Sequence, residues 1–317
     1  MIRIVTFFMP FALLTVSVFA SSAAHAQSTW TGLGGNGNWG NANNWNPVAV
    51  PGLGASVTFE GPANNVVNVG ANRLIGTLGF DSTVPFTLLN DSLFLSGVTS
   101  TNSISGEHDI FSNIGMAILS NWNIGEDAPL EVVGNISGAG GIVKQGAGTL
   151  TLTGANSYSG GTVLEQGIVS VEADANLGNT SDGLTFDGGD LRWDATFDLD
   201  PARSITLDAG GGTLRTRTNS TTITQAITGV GGLTKAGSGT LTLGGANTYT
   251  GDTNIDNGVI RLGVANALQN STVNINDNDG LDINGLDATI GALAGSGNLG
   301  LGSNSLIVGG NDASTSY

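Results

Sequence analysis

The sequence predicts an all-β chain wound as a right-handed parallel β-helix, and three observations carry that prediction. Glycine supplies 51 of 317 residues while charged residues make up only 11%. Lysine occurs only at 144 and 235, and glycine interrupts nearly every segment, so no long amphipathic helix can be drawn. A segment of 34 residues also recurs at an offset of 91, with 17 positions identical and no gap. Chance does not produce that, and internal repetition of short strands points to a solenoid.

The chain opens with Arg3, an apolar run from Ile4 to about Ala20, and small residues at Ala24 and Ala26. That order is a secretory signal peptide over residues 1–26, with cleavage after Ala26. Pro10, Thr15 and Ser17 interrupt the run, which argues against a retained anchor, and no later stretch approaches ~18 consecutive apolar residues.

Residues 27–97 differ in composition from the rest. Trp30, Trp39 and Trp45 lie among Asn and Gly, and Pro47, Pro51 and Pro62 follow. A solenoid exposes apolar core and unpaired strand edge at its ends, so this region is expected to be an N-terminal β cap. The alternative use of three indoles is a platform on which sugar rings stack, making Trp30, Trp39 and Trp45 the candidate glycan contacts.

Residues 98–317 carry the expected β-helix, with repeat units at 138–171 and 229–262. Within the first unit, Thr149-Leu150-Thr151-Leu152-Thr153 alternates with period two, so the leucines share one side and the threonines the other. Gly146 and Gly148 precede this strand and Gly154-Ala155-Asn156 follows it, as turn residues do. Shorter strands are predicted near Thr162–Leu164 and Ile168–Val171. One coil is then about 23 residues, with 91 residues making four coils. An antiparallel sandwich or propeller is disfavoured, because no Asn-Gly or Asp-Gly hairpin recurs between equal strands. The repeated side chains are Lys144 with Lys235, Leu150 with Leu241, Leu152 with Leu243, Asn156 with Asn247, and Tyr158 with Tyr249. The equal placement of the two lysines suggests a structural contact with a backbone carbonyl or a turn aspartate.

Both units resemble the autotransporter-associated β-strand repeat, a Gly-Gly-Leu-Thr-Lys core leading to Gly-Thr-Leu-Thr-Leu and then Asn-x-Tyr-x-Gly. The second unit matches at Gly231-Gly232-Leu233-Thr234-Lys235, Gly237, Gly239-Thr240-Leu241-Thr242-Leu243, Asn247, Tyr249 and Gly251; the first departs at Ile142-Val143. The resemblance implies a type V secretion passenger, displayed on or released from a Gram-negative cell, and a C-terminal β-barrel translocator. No alternating ~10-residue strands with aromatic girdles precede Tyr317, so the chain is expected to be a truncated product or fragment. Without its translocator it would be periplasmic.

Composition excludes several classes. Acidic groups outnumber basic ones 25 to 9, which disfavours nucleic acid as a partner. There is no cysteine, so stability rests on the packed core, and no disulfide would obstruct passage through a second membrane. No Gly-x-Ser-x-Gly elbow accompanies His108, which is expected in a polar loop, and a lone imidazole without cysteines builds no zinc site. Aspartates cluster at Asp187, Asp190, Asp194, Asp198 and Asp200, and again at Asp277, Asp279, Asp282 and Asp287. They are the candidates for a polysaccharide lyase or hydrolase on a β-helix, and solvated turns are the plainer reading. The Asn276–Gly280 run fails an EF-hand loop, because Ile275 and Leu286 occupy ligand positions. The expected function is a structural stalk and adhesin-like scaffold without enzyme activity, metal or cofactor. Its expected partners are host surface, matrix or glycans.

Overall fold

The computed structural model describes residues 27–61, 65–96 and 106–311. The signal-peptide assignment to residues 1–26, Pro62 and the last six residues lie outside them.

The described chain is a parallel β-solenoid. Its longest ladder is a 13-stranded sheet running from Val66–Asn68 to Leu306–Val308, with consecutive strands parallel throughout. A seven-stranded sheet serves the early coils, ending at Ile136–Ser137, and a six-stranded one runs from Ser120–Asn123 to Ile227–Gly229. A four-stranded sheet starts at Thr221–Ile223 and takes, in chain order, the place the seven-stranded sheet held earlier. The mature coil is thus three-sided. Helical structure is confined, among the described residues, to short 3-10 turns such as Asp174–Leu177.

Alternation decides which side chains turn inward. In Thr149–Leu152 the leucines are fully buried and the threonines partly exposed, and Thr240–Leu243 repeats the pattern. Stacked coils place these side chains in columns, and Leu150, Val169, Leu191 and Leu214 form one of them. Each fully buried Leu or Val contributes roughly 1.5–3 kcal/mol of hydrophobic stabilisation. A single coil has no such partner, so the fold is stable only as an array.

The same columns correct the expected coil length. Leu150 and Leu241 are equivalent in the repeat, but the Leu150 column passes through Leu214 to Lys235 and Ile255. Successive partners in that column lie about 21 residues apart, not 23. Ninety-one residues therefore span four coils plus one side, and the second unit sits one face further round the axis. Lys144 lies in the six-stranded sheet and Lys235 in the 13-stranded sheet.

The region 27–97 is also corrected in part. Strands Ala55–Glu60, Arg73–Asp81 and Ser92–Leu95 belong to the same parallel seven-stranded sheet as Asn113–Met116, so the ladder does not begin at 98. Glycine and proline between these strands disguised them in sequence. What departs from the ladder is the very start. Gln27–Trp30 pairs in parallel with Ala55–Glu60 on one side and antiparallel with Trp45–Asn46 on the other. This two-residue strand forms the sheet's edge, and a very short edge strand offers little template for further pairing.

Candidate functional site

The side chains shared by the two repeats form one recurring constellation. Gly146 and Gly237 take left-handed backbone angles, with φ of 71° and 79°, just after a strand. The corner this creates turns backbone carbonyls toward the interior. Lys144 points into the core column between Trp122 and Leu164, and Lys235 into that between Leu214 and Ile255. Both lysines are fully buried. Their aliphatic stems pack in the column while the ammonium reaches the corner.

Each ammonium is held by three carbonyls. Lys144 Nζ donates to Gln145 O at 2.8 Å, Gly146 O at 2.6 Å and Gln166 O at 3.0 Å. Lys235 Nζ donates likewise to Ala236 O at 3.1 Å, Gly237 O at 2.5 Å and Asn257 O at 3.0 Å. The third acceptor lies one coil on, so each lysine ties two coils at a corner. Burial lowers both ammonium groups to about 8, partly offset at Lys235 by the charge of Asp277.

The asparagines tie three coils. Asn156 Oδ1 accepts from Ile136 N at 2.7 Å and its Nδ2 donates to Asn176 O at 2.5 Å. Asn247 does the same with Ile227 N at 2.8 Å and Ala267 O at 2.9 Å. The amide is the one short side chain with a donor and an acceptor set to bridge forward and back. Tyr158 and Tyr249 are buried, and each hydroxyl lies 2.6 Å from a threonine Oγ1, Thr162 and Thr253. Burial raises both phenols, Tyr158 to about 12. Lysine, asparagine and tyrosine are thus all engaged inside the solenoid, and none faces a ligand.

The indoles proposed as glycan contacts are not available for stacking. Trp30, Trp39 and Trp45 are at most 1% exposed. Their rings lie 5.0 Å (Trp30 to Trp45) and 4.8 Å (Trp39 to Trp45) apart around Phe59, and Trp45 Nε1 donates to Trp39 O at 2.8 Å. Their composition suggested a surface; their packing makes them core.

His108 is likewise interior rather than in a loop. It lies in strand His108–Ile110, stacks on Phe80 at 4.6 Å, and accepts from Phe86 N through Nδ1 at 3.1 Å.

The first aspartate cluster is dispersed among structural partners. Asp194 accepts from Ser170, Arg192 and Arg217, and Asp190 pairs with Arg215 at 2.5 Å. Burial pushes the Asp194 carboxyl up, but these hydrogen bonds outweigh it and hold it below its usual range. Asp187 and Asp198 each accept a backbone amide from the next coil, Gly210 N and Thr222 N. In the second cluster Asp277 accepts from Gly258 N, Asp282 pairs with Arg261, and Asp287 accepts from Ser305. The ion pair with the most buried arginine was not foreseen from sequence. Arg203 is fully buried, meets both oxygens of Asp174 at 3.0 Å, and donates to Leu177 O and Gly178 O. Its only sequence signal is that arginine is scarce.

The fold and these contacts define a parallel β-solenoid built from repeats, with buried lysine and asparagine ties at fixed repeat positions. The passenger-associated-transport-repeat family matches residues 142–171 and 233–262, the two stretches in which those ties lie. The chain therefore carries two copies of that repeat. It is also 39% identical over 140 residues to the adhesin BmaC autotransporter of Brucella suis biovar 1 (strain 1330). That match covers 44% of this chain and 4% of the relative's length. No solved structure matches.

Proposed function

We propose that the chain is part of an autotransporter passenger, exported through its signal peptide and held at the cell surface or released, where it works as a stiff stalk with an adhesive role. The observation that carries this reading is the spending of the repeat's buried lysines and asparagines on coil-to-coil contacts. Lys144, Asn156, Lys235 and Asn247 each bond one coil to its neighbour, so these side chains serve the stacking of the coils. The BmaC relative, named an adhesin, supports the adhesive part.

On this reading residues 27 to about 50 cap the solenoid, with Trp30, Trp39 and Trp45 closing its apolar end. Host surface, matrix or glycans remain the proposed partners, met by loops rather than by the indoles. The scaffold is non-enzymatic, since the aspartates that resembled a polysaccharide-cleaving set are held by arginines and backbone amides.

The test replaces Leu150, Leu152, Leu241 and Leu243 together by Asp in the full-length product expressed in a Gram-negative host. Protease shaving of intact cells should release wild-type solenoid as a resistant fragment, and the variant should give none. A variant released intact at wild-type yield would overturn the stalk reading. Loss of host-cell attachment in the variant, with export retained, would assign the adhesive part.

A further inference from the structure

The outer side of the 13-stranded sheet carries a column of side chains that changes sign along its length. In register, adjacent coils place Asp109 beside Glu131, then Thr151, Ser170, Arg192 and Arg215. At about 4.8 Å per coil, the five steps span about 24 Å. The acidic end is uncompensated. Glu107 and Glu172 stand near enough to raise the Asp109 and Glu131 carboxyls respectively, and no ion pair reaches either among the described residues.

The basic end is the opposite case. Of nine Lys and Arg in the whole chain, Arg192, Arg215 and Arg217 gather here against Asp190 and Asp194. The Arg215 and Arg217 side chains are 43% and 58% exposed, and each meets its aspartate through one nitrogen, Nε and Nη1. Both keep guanidinium donors available for a further carboxylate.

The order of the column is self-complementary. A two-fold axis between Thr151 and Ser170 would set Asp109 opposite Arg215 and Glu131 opposite Arg192 on a second copy. At the centre Thr151 is partly exposed, and Ser170 beside it is covered by Asp194 and Arg192, to which its hydroxyl is hydrogen-bonded. We infer that this face is a docking surface for a second copy of the chain, laid antiparallel, with Asp109 and Glu131 of each copy meeting Arg215 and Arg192 of the other. Such an isologous contact closes on itself as a dimer. The inference goes beyond the stalk reading and concerns the purified chain alone.

Sedimentation of the purified full chain tests it. A dimer is expected at about 20 mM salt and dissociation at about 500 mM, as screened charges require. Asp109→Arg and Arg215→Glu should each weaken the dimer by at least about tenfold, and Glu131→Gln should weaken it to a smaller extent without disturbing the coil. Mixing the Asp109→Arg and Arg215→Glu chains should restore a mixed dimer. A wild-type chain that stays monomeric, a dimer unmoved by salt, or natively folded charge reversals that still self-associate would each overturn the proposal.

Discussion

Lys144 and Lys235 fill the same place in the repeat but stand on different faces of the solenoid, about a third of a turn apart. Each binds three carbonyls at a corner in the same geometry. The motif is therefore a local corner device, indifferent to which side of the coil it occupies. It needs a glycine with positive φ, a carbonyl from the coil ahead and an apolar column for the stem, and two of the three sides provide these.

The corner lysines give a pH signature of unusual sign. Their folded-state value is about 8, below the 10.5 of the unfolded chain. Between those values the unfolded state binds more protons, so stability rises with pH. Thermal midpoints measured from pH 7.5 to 10 should rise in wild type relative to the Lys144→Met, Lys235→Met double variant. A parallel pair of curves would mean that the ammonium groups are not desolvated.

At neutral pH the same substitution removes three hydrogen bonds per site and strands buried carbonyls. Lys144→Met alone should lower stability by about 2 kcal/mol, the ordinary cost of orphaned polar groups. Urea denaturation would register it as a lower midpoint. An unchanged midpoint would show that water replaces the ammonium at no cost.

Much of this fold was legible in the sequence, for physical reasons that also mark where legibility ends. The alternation in Thr149–Leu152 and the glycines around it fixed strands and turns because both act locally. The equal placement of Lys144 and Lys235 pointed to a structural contact with a backbone carbonyl or a turn aspartate, since a repeat preserves geometry, and the acceptors are carbonyls. The face rotation was hidden, because it depends on segment lengths summed over four coils. The burial of Trp30, Trp39 and Trp45 was hidden too, since Asn and Gly around an indole suit a surface loop and a tight packed turn alike. Arg203 had no periodic counterpart to announce it.

Asn156 and Asn247 predict a second stability result. Asn156→Ala removes an acceptor for Ile136 N–H and a donor for Asn176 C=O, both buried bonds. Two lost hydrogen bonds cost about 2 kcal/mol. Amide exchange offers the sharper measurement, since Ile136 N–H should lose protection while Leu150 N–H keeps it. Equal loss at both positions would indicate general unfolding rather than a broken tie.

Asp109 and Glu131 predict the opposite pH trend at the acidic end. Burial raises both, helped at Asp109 by Glu107 and at Glu131 by Asp109 and Glu172. The folded state then binds more protons than the unfolded one just above pH 4, so stability falls as pH rises through that range. Asp109→Asn should flatten the trend between pH 4 and pH 6, read as thermal midpoint at high salt to keep copies apart. A slope unaltered by the substitution would place the titration elsewhere.

Arg203 supplies the largest expected loss. Its guanidinium is fully buried, forks onto Asp174 and fills two further carbonyls, Leu177 O and Gly178 O. Arg203→Met leaves a half-buried carboxylate and orphaned carbonyls, a change that costs about 3 kcal/mol or more when one partner of a buried pair is removed. Arg203→Lys keeps the charge but not the fork, so it should recover only part of that loss. Limited proteolysis would locate the damage, with new cleavage expected in the turn around Asp174–Leu177 and the strands on either side intact. If Lys restored full stability, the fork geometry would be dispensable, and charge alone would hold these coils together.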